Sequence, residues 1–98
     1  MKRRASFHAR AKQEILEATR YYNLESPGLG DIFLNEVERV LASILEHPEA
    51  AIVLRGKVRR KLLRKFPYGI LYSVAPDGIR ILAVMNQKRR PFYWQGRS

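Results

Sequence analysis

The residues of this chain that could do chemistry are mostly cationic, and they are concentrated in two segments. The stretch VRRKLLRKFPYGILYSV, residues 58–74, places three arginines and two lysines beside an apolar and aromatic run. The stretch QKRRPFYW, residues 87–94, mixes the same residue types. Arginine binds phosphate oxygens through paired hydrogen bonds and lysine as a point charge, while aromatic side chains can stack on nucleobases. Such residues could bind a polyanion, or could cleave RNA without histidine by stabilising a charged phosphorane.

The net positive charge of the chain comes entirely from its second half. Residues 1–50 contain seven basic and eight acidic residues, a charge of −1, whereas residues 51–98 contain twelve basic residues and one acid, Asp77, a charge of +11. Together they give the net charge of +10. Solubility alone does not require such segregation, so we expect a phosphate-rich partner, an acidic protein partner, or both.

Several other kinds of chemistry find no support in the sequence. The chain has no cysteine, which excludes disulfides and thiolate chemistry. Its two histidines, His8 and His47, lie far apart, no spacing resembles a metal site, and no glycine-rich phosphate loop carries a lysine. We therefore expect no metal and no cofactor. The acids lie mostly on predicted helix faces that we expect to be solvated, among them Glu14, Glu17, Glu36 and Glu38.

Length and composition indicate one soluble domain spanning residues 1–98. A chain of 98 residues with 46% hydrophobic and 29% charged residues is near the usual size for a single core. No apolar run approaches the roughly 20 residues that a membrane-spanning helix needs. The basic N-terminus is not followed by an apolar stretch, so we expect no secretory signal, no membrane partner and a cytoplasmic protein.

A strand and two helices are predicted in the first half. RASFH, residues 4–8, fits a short strand. Apolar residues then recur every three or four positions, which indicates a helix that NLESPGLG, residues 23–30, ends. Ser26 and Pro27 predict the N-cap and first turn of a second helix, which ends before Pro48. The apolar stripe of this helix comprises Leu29, Phe33, Val37, Val40, Leu41 and Ile44.

The second half changes to the period of a strand. The Gly-Lys pair at 56–57 fits a turn, and residues 58–66 alternate without a purely apolar face, so this strand should have one side open. APDG, residues 75–78, predicts a hairpin turn between a strand at 68–74 and a central strand at 79–86. One face of the strand before the turn is formed by Tyr68, Ile70, Tyr72 and Val74.

Together these elements predict an α+β fold. A short N-terminal strand precedes two helices that pair as an αα-hairpin. The hairpin should pack on one face of a largely antiparallel sheet of about four strands.

The basic segments resemble the C-terminal half of a known family. VRRKLLRKFPYGILYSV followed by IRILAVMNQKRRPFYW is similar to the RelE/ParE toxins of type II toxin–antitoxin systems, often labelled plasmid stabilisation proteins. The first half agrees, since EATRYYNLESPGLGDIFLNEVERVLASILEHP resembles the two-helix segment of that family. The resemblance covers nearly the whole chain. It implies a compact toxin with an αα-hairpin on an antiparallel sheet, and a cognate antitoxin whose toxin-wrapping segment is usually acidic.

The resemblance covers two activities. RelE-like toxins cut mRNA in the ribosomal A site, whereas ParE-like toxins block DNA gyrase. The ribonuclease branch places an arginine after the tyrosine that corresponds to Tyr68, where this chain has Gly69, and many relatives carry a histidine where this chain has Asn86. These departures favour a ParE-like inhibitor of gyrase. A ribosome-dependent mRNA endoribonuclease is the alternative, and an inactive toxin relative or a nucleic-acid-binding module are further alternatives.

The resemblance also assigns candidate site residues. If the chain is a ribonuclease, its catalytic residues are Arg60, Arg64, Arg89 and Tyr93. The arginines would stabilise the charged phosphate or the leaving group, and the tyrosine would orient the substrate. The residues expected to bind the target or the antitoxin are Arg59, Lys61, Lys65, Tyr68, Arg90 and Trp94. Sheet packing is the favoured alternative for Tyr68, and a lid over the sheet edge explains Trp94 equally well.

Overall fold

The chain folds as two helices against a five-stranded sheet. The computed structural model describes residues 4–98. Along the chain the elements are β1 (Arg4–Phe7), α1 (Ala9–Glu25), α2 (Leu29–Glu46), β2 (Ile52–Arg55), β3 (Val58–Leu62), β4 (Tyr68–Ala75) and β5 (Gly78–Asn86). Neither helix of this described part of the chain is long and apolar enough to cross a lipid bilayer. The predicted α+β fold is confirmed.

The sheet has one strand more than the predicted number of about four. Its strand order is β1-β5-β4-β3-β2, with β1 parallel to β5 and the other neighbouring pairs antiparallel. The additional strand is the short N-terminal one, which joins the same sheet from Arg4↔Gly78 to Phe7↔Ile81. The turn predicted at 56–57 joins β2 to β3.

A glycine allows the two helices of the predicted αα-hairpin to approach closely. A Cβ atom at Gly30 would lie 2.3 Å from the carbonyl oxygen of Thr19 and 2.6 Å from the side chain of Asn23. The backbone amide of Gly30 instead donates to Oδ1 of Asn23 at 2.8 Å. The second glycine of the SPGLG segment is therefore a packing requirement of the hairpin.

The predicted start of the second helix was wrong. Ser26 is the C-cap of α1, and its amide donates to the carbonyl of Tyr22. Gly28 adopts the left-handed conformation, with φ of 88°, and α2 begins at Leu29. Glycine enters this conformation at little cost, so the chain reverses there and Pro27 lies in the turn, before the helix.

The main core lies between the helices and one face of the sheet. The predicted stripe of α2 points into it, and Phe33, Val37, Val40 and Ile44 are buried. The predicted face of β4 meets the same core, formed by Tyr68, Ile70, Tyr72 and Val74. The hydroxyl of the fully buried Tyr72 donates to the carbonyl of Pro48 at 2.6 Å, which satisfies the polar end of this core residue.

A smaller apolar cluster covers part of the opposite face. It consists of Leu71, Ala83, Met85 and Trp94. A register shift opposite Leu71 and Tyr72 leaves Leu82 of β5 without a Cα partner. This bulge moves β5 by one residue, so that Ile81 and Val84 both face the helices. As predicted, β5 is a central strand, with β1 and β4 beside it.

Candidate functional site

Five cations gather at one end of the sheet, on two neighbouring loops. The first basic loop, residues 63–67, joins β3 to β4, and the second basic loop, residues 87–91, follows β5. The pairing of β4 with both neighbours places the loops at the same end, and the amide of Gln87 donates to the carbonyl of Pro67 at 2.8 Å. We call this surface the basic end. Its exposed cations are Arg64, Lys65, Lys88, Arg89 and Arg90.

A buried carboxylate holds the first basic loop. Glu36 of α2 is 9% exposed, and its Oε2 accepts the backbone amides of Arg64 at 2.6 Å and Lys65 at 3.0 Å. Its Oε1 accepts from Nε of Arg39 at 3.3 Å. The amide of Lys65 contributes most to holding the pKa of Glu36 below its ordinary value, although burial opposes this. Because these amides bond a side chain, β3 ends at Leu62, earlier than predicted.

The first basic loop alternates between buried anchors and exposed charges. Leu63 and Phe66 are 5% and 7% exposed, and the ring of Phe66 lies 4.8 Å from that of Tyr22. Between these anchors, Arg64 and Lys65 are exposed. The loop backbone is thus fixed by core packing and by Glu36, and its two cations point to solvent.

Asn86 shapes the second basic loop. Its Oδ1 accepts the amide of Lys88 at 2.9 Å, and its carbonyl accepts the amide of Arg89 at 3.0 Å. The guanidinium carbon of Arg89 lies 4.2 Å from the ring centroid of Tyr93. The residue at the position where many relatives carry histidine therefore forms a turn in this chain.

A second partly buried carboxylate binds the segment that follows this loop. Glu14 of α1 accepts from the hydroxyl of Tyr93 at 2.5 Å and from Nη1 of Arg97 at 3.0 Å. It also accepts the backbone amide of Val84 at 3.0 Å. The side chains of Glu14 and Arg97 are 15% and 8% exposed, so this ion pair is largely removed from water.

The ion pair closes the part of β5 that has no neighbouring strand. Because β1 ends at Phe7, later backbone groups on that edge of β5 lack a strand partner. The carbonyl of Leu82 and the amide of Val84 are two such groups, and they bond Arg97 and Glu14. Buried backbone groups without partners are costly, so the pair replaces the missing strand.

Tyr93 is held as a hydrogen-bond donor. Burial and the bond to Glu14 raise the pKa of Tyr93 far above its ordinary value. The cavity beside it, of about 250 Å³, lies between α1 and the sheet. Residues of both charge signs line this cavity, among them Glu14, Glu17, Tyr21, Tyr68, Arg89 and Tyr93. A mixed lining of this kind does not form a purely cationic phosphate site.

Arg60 lies on the opposite side of the sheet from the helices. It pairs with Leu71, which belongs to the apolar cluster of that face. Within residues 4–98, its Nε is buried and has no hydrogen-bond partner. A Cβ atom at Gly69 would lie 3.0 Å from the side chain of Leu62 and 3.3 Å from that of Arg60. The glycine therefore leaves room for the stem of Arg60.

The structure brings together only two of the four residues proposed for catalysis. Arg89 and Tyr93 stack on each other and line the cavity. Arg60 lies on the far face of the sheet, and Arg64 is held by its backbone in the first basic loop. Neither of these two lines the cavity.

Two of the basic residues proposed for binding are partly used by the fold. Arg59 donates from Nη1 to two backbone carbonyls of the segment 49–51, at 2.9 and 2.7 Å. Lys61 is half-buried in β3, whereas Lys65 and Arg90 are exposed. The last two are therefore the better candidates for contact with a partner.

The two aromatic residues proposed for binding are packed in the structure. Tyr68 contributes to the main core, which agrees with its alternative interpretation. Trp94 is 5% exposed and covers Leu71, Ala83 and Met85 on the other face. It is a lid over the sheet face, close to the alternative of a lid over the edge.

The sequence interpretation missed the two acids that hold the first basic loop and the C-terminal segment in place. Glu14 and Glu36 were grouped with solvated acids, and this was wrong, whereas their neighbours Glu17 and Glu38 are exposed as expected. The available signal is that each buried acid interrupts the apolar stripe of its helix. The flanking buried residues are Ala11 and Ala18 for the first acid, and Phe33 and Val40 for the second.

Comparison with known proteins gives a family and a fold. The family described as "ParE toxin of type II toxin-antitoxin system, parDE" matches residues 5–91. A search of curated proteins finds no match. A solved structure of the "Chromosomal ParDE TA system from P. aeruginosa" is similar, with a TM-score of 0.76 and 12% identity, over 87% of this chain and 96% of that chain. At this identity the structural likeness shows the fold, and the family match is the stronger finding.

Proposed function

The chain belongs to the ParE toxin family of type II toxin–antitoxin systems, and from this premise we propose that it inhibits DNA gyrase without catalysing a reaction. The observation that carries the proposal is the separation of the residues that RNA cleavage would need. Arg60 lies in β3, on the face of the sheet away from the helices. Tyr93 donates a hydrogen bond to Glu14 at the edge of β5 that has no neighbouring strand. The proposal places the toxin in the cytoplasm, where gyrase acts.

Catalysis of phosphodiester cleavage requires groups that converge on one phosphate. In this chain the position of the ribonuclease arginine is Gly69, and the space beside it is filled by the stem of Arg60. The hydroxyl of Tyr93 already donates to a carboxylate. Of the three candidate arginines, Arg89 alone lines the cavity, as an exposed cation stacked on the ring of Tyr93. This arrangement favours the interpretation that the surface binds a target protein, and it argues against a site that cleaves RNA.

A cognate antitoxin with an acidic segment is the second part of the proposal. The +11 charge of residues 51–98 is complementary to such a segment. In the described part of the chain the exposed cations of the basic end form no salt bridge, although Arg89 lines a cavity with Glu14 and Glu17. An acidic segment could therefore pair with them. Masking the same surface that meets the target would neutralise the toxin.

Two assays on the purified toxin test the proposal. We expect inhibition of gyrase supercoiling, relieved by the antitoxin encoded beside the toxin, and no ribosome-dependent mRNA cleavage. Cleavage of mRNA that the Arg89→Ala variant abolishes would establish the ribonuclease alternative. Normal growth on induction without antitoxin, together with no effect on gyrase, would overturn the proposal in favour of an inactive relative.

A further inference from the structure

We propose that the basic end binds the phosphate backbone of duplex DNA without sequence preference, and that Glu36 is a positioning residue for this contact. The choice of duplex DNA as the ligand rests on the proposed function, because gyrase acts on duplex DNA. The surface itself rests on the two basic loops, which the fold brings together through the bond from Gln87 to Pro67. The toxin would then contact gyrase and its DNA at the same time.

The charge at the basic end is exposed and is balanced by few acids. Within residues 4–98 none of its five cations forms a salt bridge. The one acid of the second half, Asp77, lies in the β4–β5 turn at the other end of the sheet. Glu36 is occupied by the first basic loop, and Arg89 lines a cavity together with Glu14 and Glu17. This excess of cations attracts phosphates.

The basic end offers charge with little exposed apolar surface. The apolar residues of the first basic loop, Leu63 and Phe66, are buried. Exposed apolar or aromatic side chains lie at the margins, at Tyr21, Leu62 and Phe92, and elsewhere on the helices and β2, at Leu16, Leu24, Ile32, Ile52 and Val53. The cores of protein interfaces are apolar and depleted of charge, whereas contacts with the phosphate backbone are made by arginine and lysine. The composition therefore favours a ligand held by charge, such as DNA, over a protein that docks through an apolar core at this surface.

The buried Glu36 is explained by presentation of the first basic loop. A two-residue turn could join two antiparallel strands without burying a carboxylate, which is costly unless its bonds are satisfied. Here the carboxylate fixes the backbone at Arg64 and Lys65 while their side chains remain exposed. Fixing the backbone beforehand reduces the ordering that binding requires. Glu36 thus acts through the loop and does not touch the ligand.

The first experiment measures the affinity of the toxin for a short fluorescent DNA duplex as a function of salt. Five phosphate contacts would give a log–log slope of about −4.5, and the double variant Arg64→Ala/Lys65→Ala should reduce its magnitude by about 1.8. The matched control is Lys12→Ala/Lys57→Ala, which removes the same charge from exposed residues outside the basic end. Equal slopes for the two double variants would overturn the assignment of the surface.

The second experiment tests the role of Glu36 by the sign of its effect. Glu36→Gln removes a negative charge, so electrostatics alone predicts tighter binding to DNA. The positioning role predicts weaker binding and faster exchange of the amides of Arg64 and Lys65. Glu38→Gln, on the exposed side of the same helix, is the control and should bind DNA as tightly as the unmodified toxin or more tightly. Tighter binding by Glu36→Gln would refute the positioning role.

Further arms separate this inference from the proposed function. Poly-glutamate or an RNA duplex that binds more tightly than DNA would overturn the choice of ligand. DNA binding that depends on the basic end, in a toxin that leaves gyrase active, would support the inference and refute the proposed function. If the toxin alone did not bind DNA, and Arg64→Ala/Lys65→Ala inhibited gyrase as strongly as the unmodified toxin, the proposed function would be supported and the inference refuted.

Discussion

The carboxylate of Glu14 should stabilise the fold more than that of any other acidic residue in α1. We consider the substitutions Glu14→Gln and Tyr93→Phe. Glu14→Gln removes the charge that pairs with Arg97, whose side chain is 8% exposed. It also disturbs the acceptor of the Val84 amide on the open edge of β5. Tyr93→Phe removes one donor and leaves the ion pair intact.

The structure gives an order of magnitude for each change. Removing one partner of a buried ion pair costs roughly 3–5 kcal/mol, and the 15% exposure of Glu14 places this case near the lower value, about 3 kcal/mol. A hydrogen bond to a charged group contributes about 1.5–3 kcal/mol. Because Glu14 keeps its other donors, we expect about 1.5 kcal/mol for Tyr93→Phe. In a domain of this size each kcal/mol shifts Tm by roughly 4–8 °C.

The assay is urea unfolding, which gives the free energy of unfolding of each variant and is compared between variants that have the same m value. Glu17→Gln is the control. Glu17 is exposed and lies one turn further along α1, so its substitution should change the free energy of unfolding by less than about 0.5 kcal/mol. We expect Glu14→Gln to be the least stable variant, followed by Tyr93→Phe and then Glu17→Gln. If Glu14→Gln and Glu17→Gln were equally stable, the proposed closure of the β5 edge would be wrong.

The pH dependence gives an independent check on Tyr93. Its pKa is raised in the folded state, so its contribution is complete below the ordinary tyrosine pKa of about 10. Above that pH the unfolded chain loses the proton first, and stability falls as pH rises. The difference in stability between the unmodified protein and Tyr93→Phe should therefore shrink at alkaline pH. Retained gyrase inhibition by folded Tyr93→Phe would fit a structural role and not a catalytic one.

Three further substitutions test other parts of the structure. Gly30→Ala places a methyl group 2.3 Å from a backbone carbonyl, and we expect a loss of about 1–3 kcal/mol in urea unfolding; unchanged stability would contradict the close helix approach. Gly69→Arg should destabilise the protein by a similar amount, because it crowds Arg60, and should not confer ribosome-dependent mRNA cleavage. Glu36 has a lowered pKa, so its stabilisation is complete above its ordinary pKa and is lost as pH falls through the lowered one. The stability gap between Glu36→Gln and the unmodified protein should narrow in acid, and a constant gap would show that Glu36 is not ionised.

The elements of the fold were predictable because each depends on local sequence patterns. The stripe of α2, the alternation of β4 and the turn signal APDG specify a helix, a strand and a hairpin within short windows. The start of α2 was missed because Ser26 and Pro27 satisfy a helix-start pattern that the left-handed Gly28 overrides. The partner of β1 was also beyond local patterns, since its parallel pairing with β5 joins residues far apart in the sequence.

The site was less predictable because its polar contacts are long-range. The bonds from Glu36 to the first basic loop and from Glu14 to Tyr93 and Arg97 connect residues that no short window contains. An acid inside an apolar stripe signals that it is buried, but it does not name its partners. The sequence showed the cations of the basic end only as runs of charged residues. That the two basic loops form one surface depends on the pairing of β4 with β5.

The charge of the second half therefore includes cations that hold the fold and cations that are exposed to solvent. Three arginines donate hydrogen bonds to backbone carbonyls, namely Arg59, Arg80 and Arg97. They contribute to the positive electrostatic potential, but their side chains are held by the fold. The exposed cations that remain are concentrated at the basic end, where a carboxylate and a turn fix the two loops. If DNA and the acidic antitoxin both bind there, they must compete. Neutralisation would then require the antitoxin to displace DNA, and added salt should weaken both contacts together.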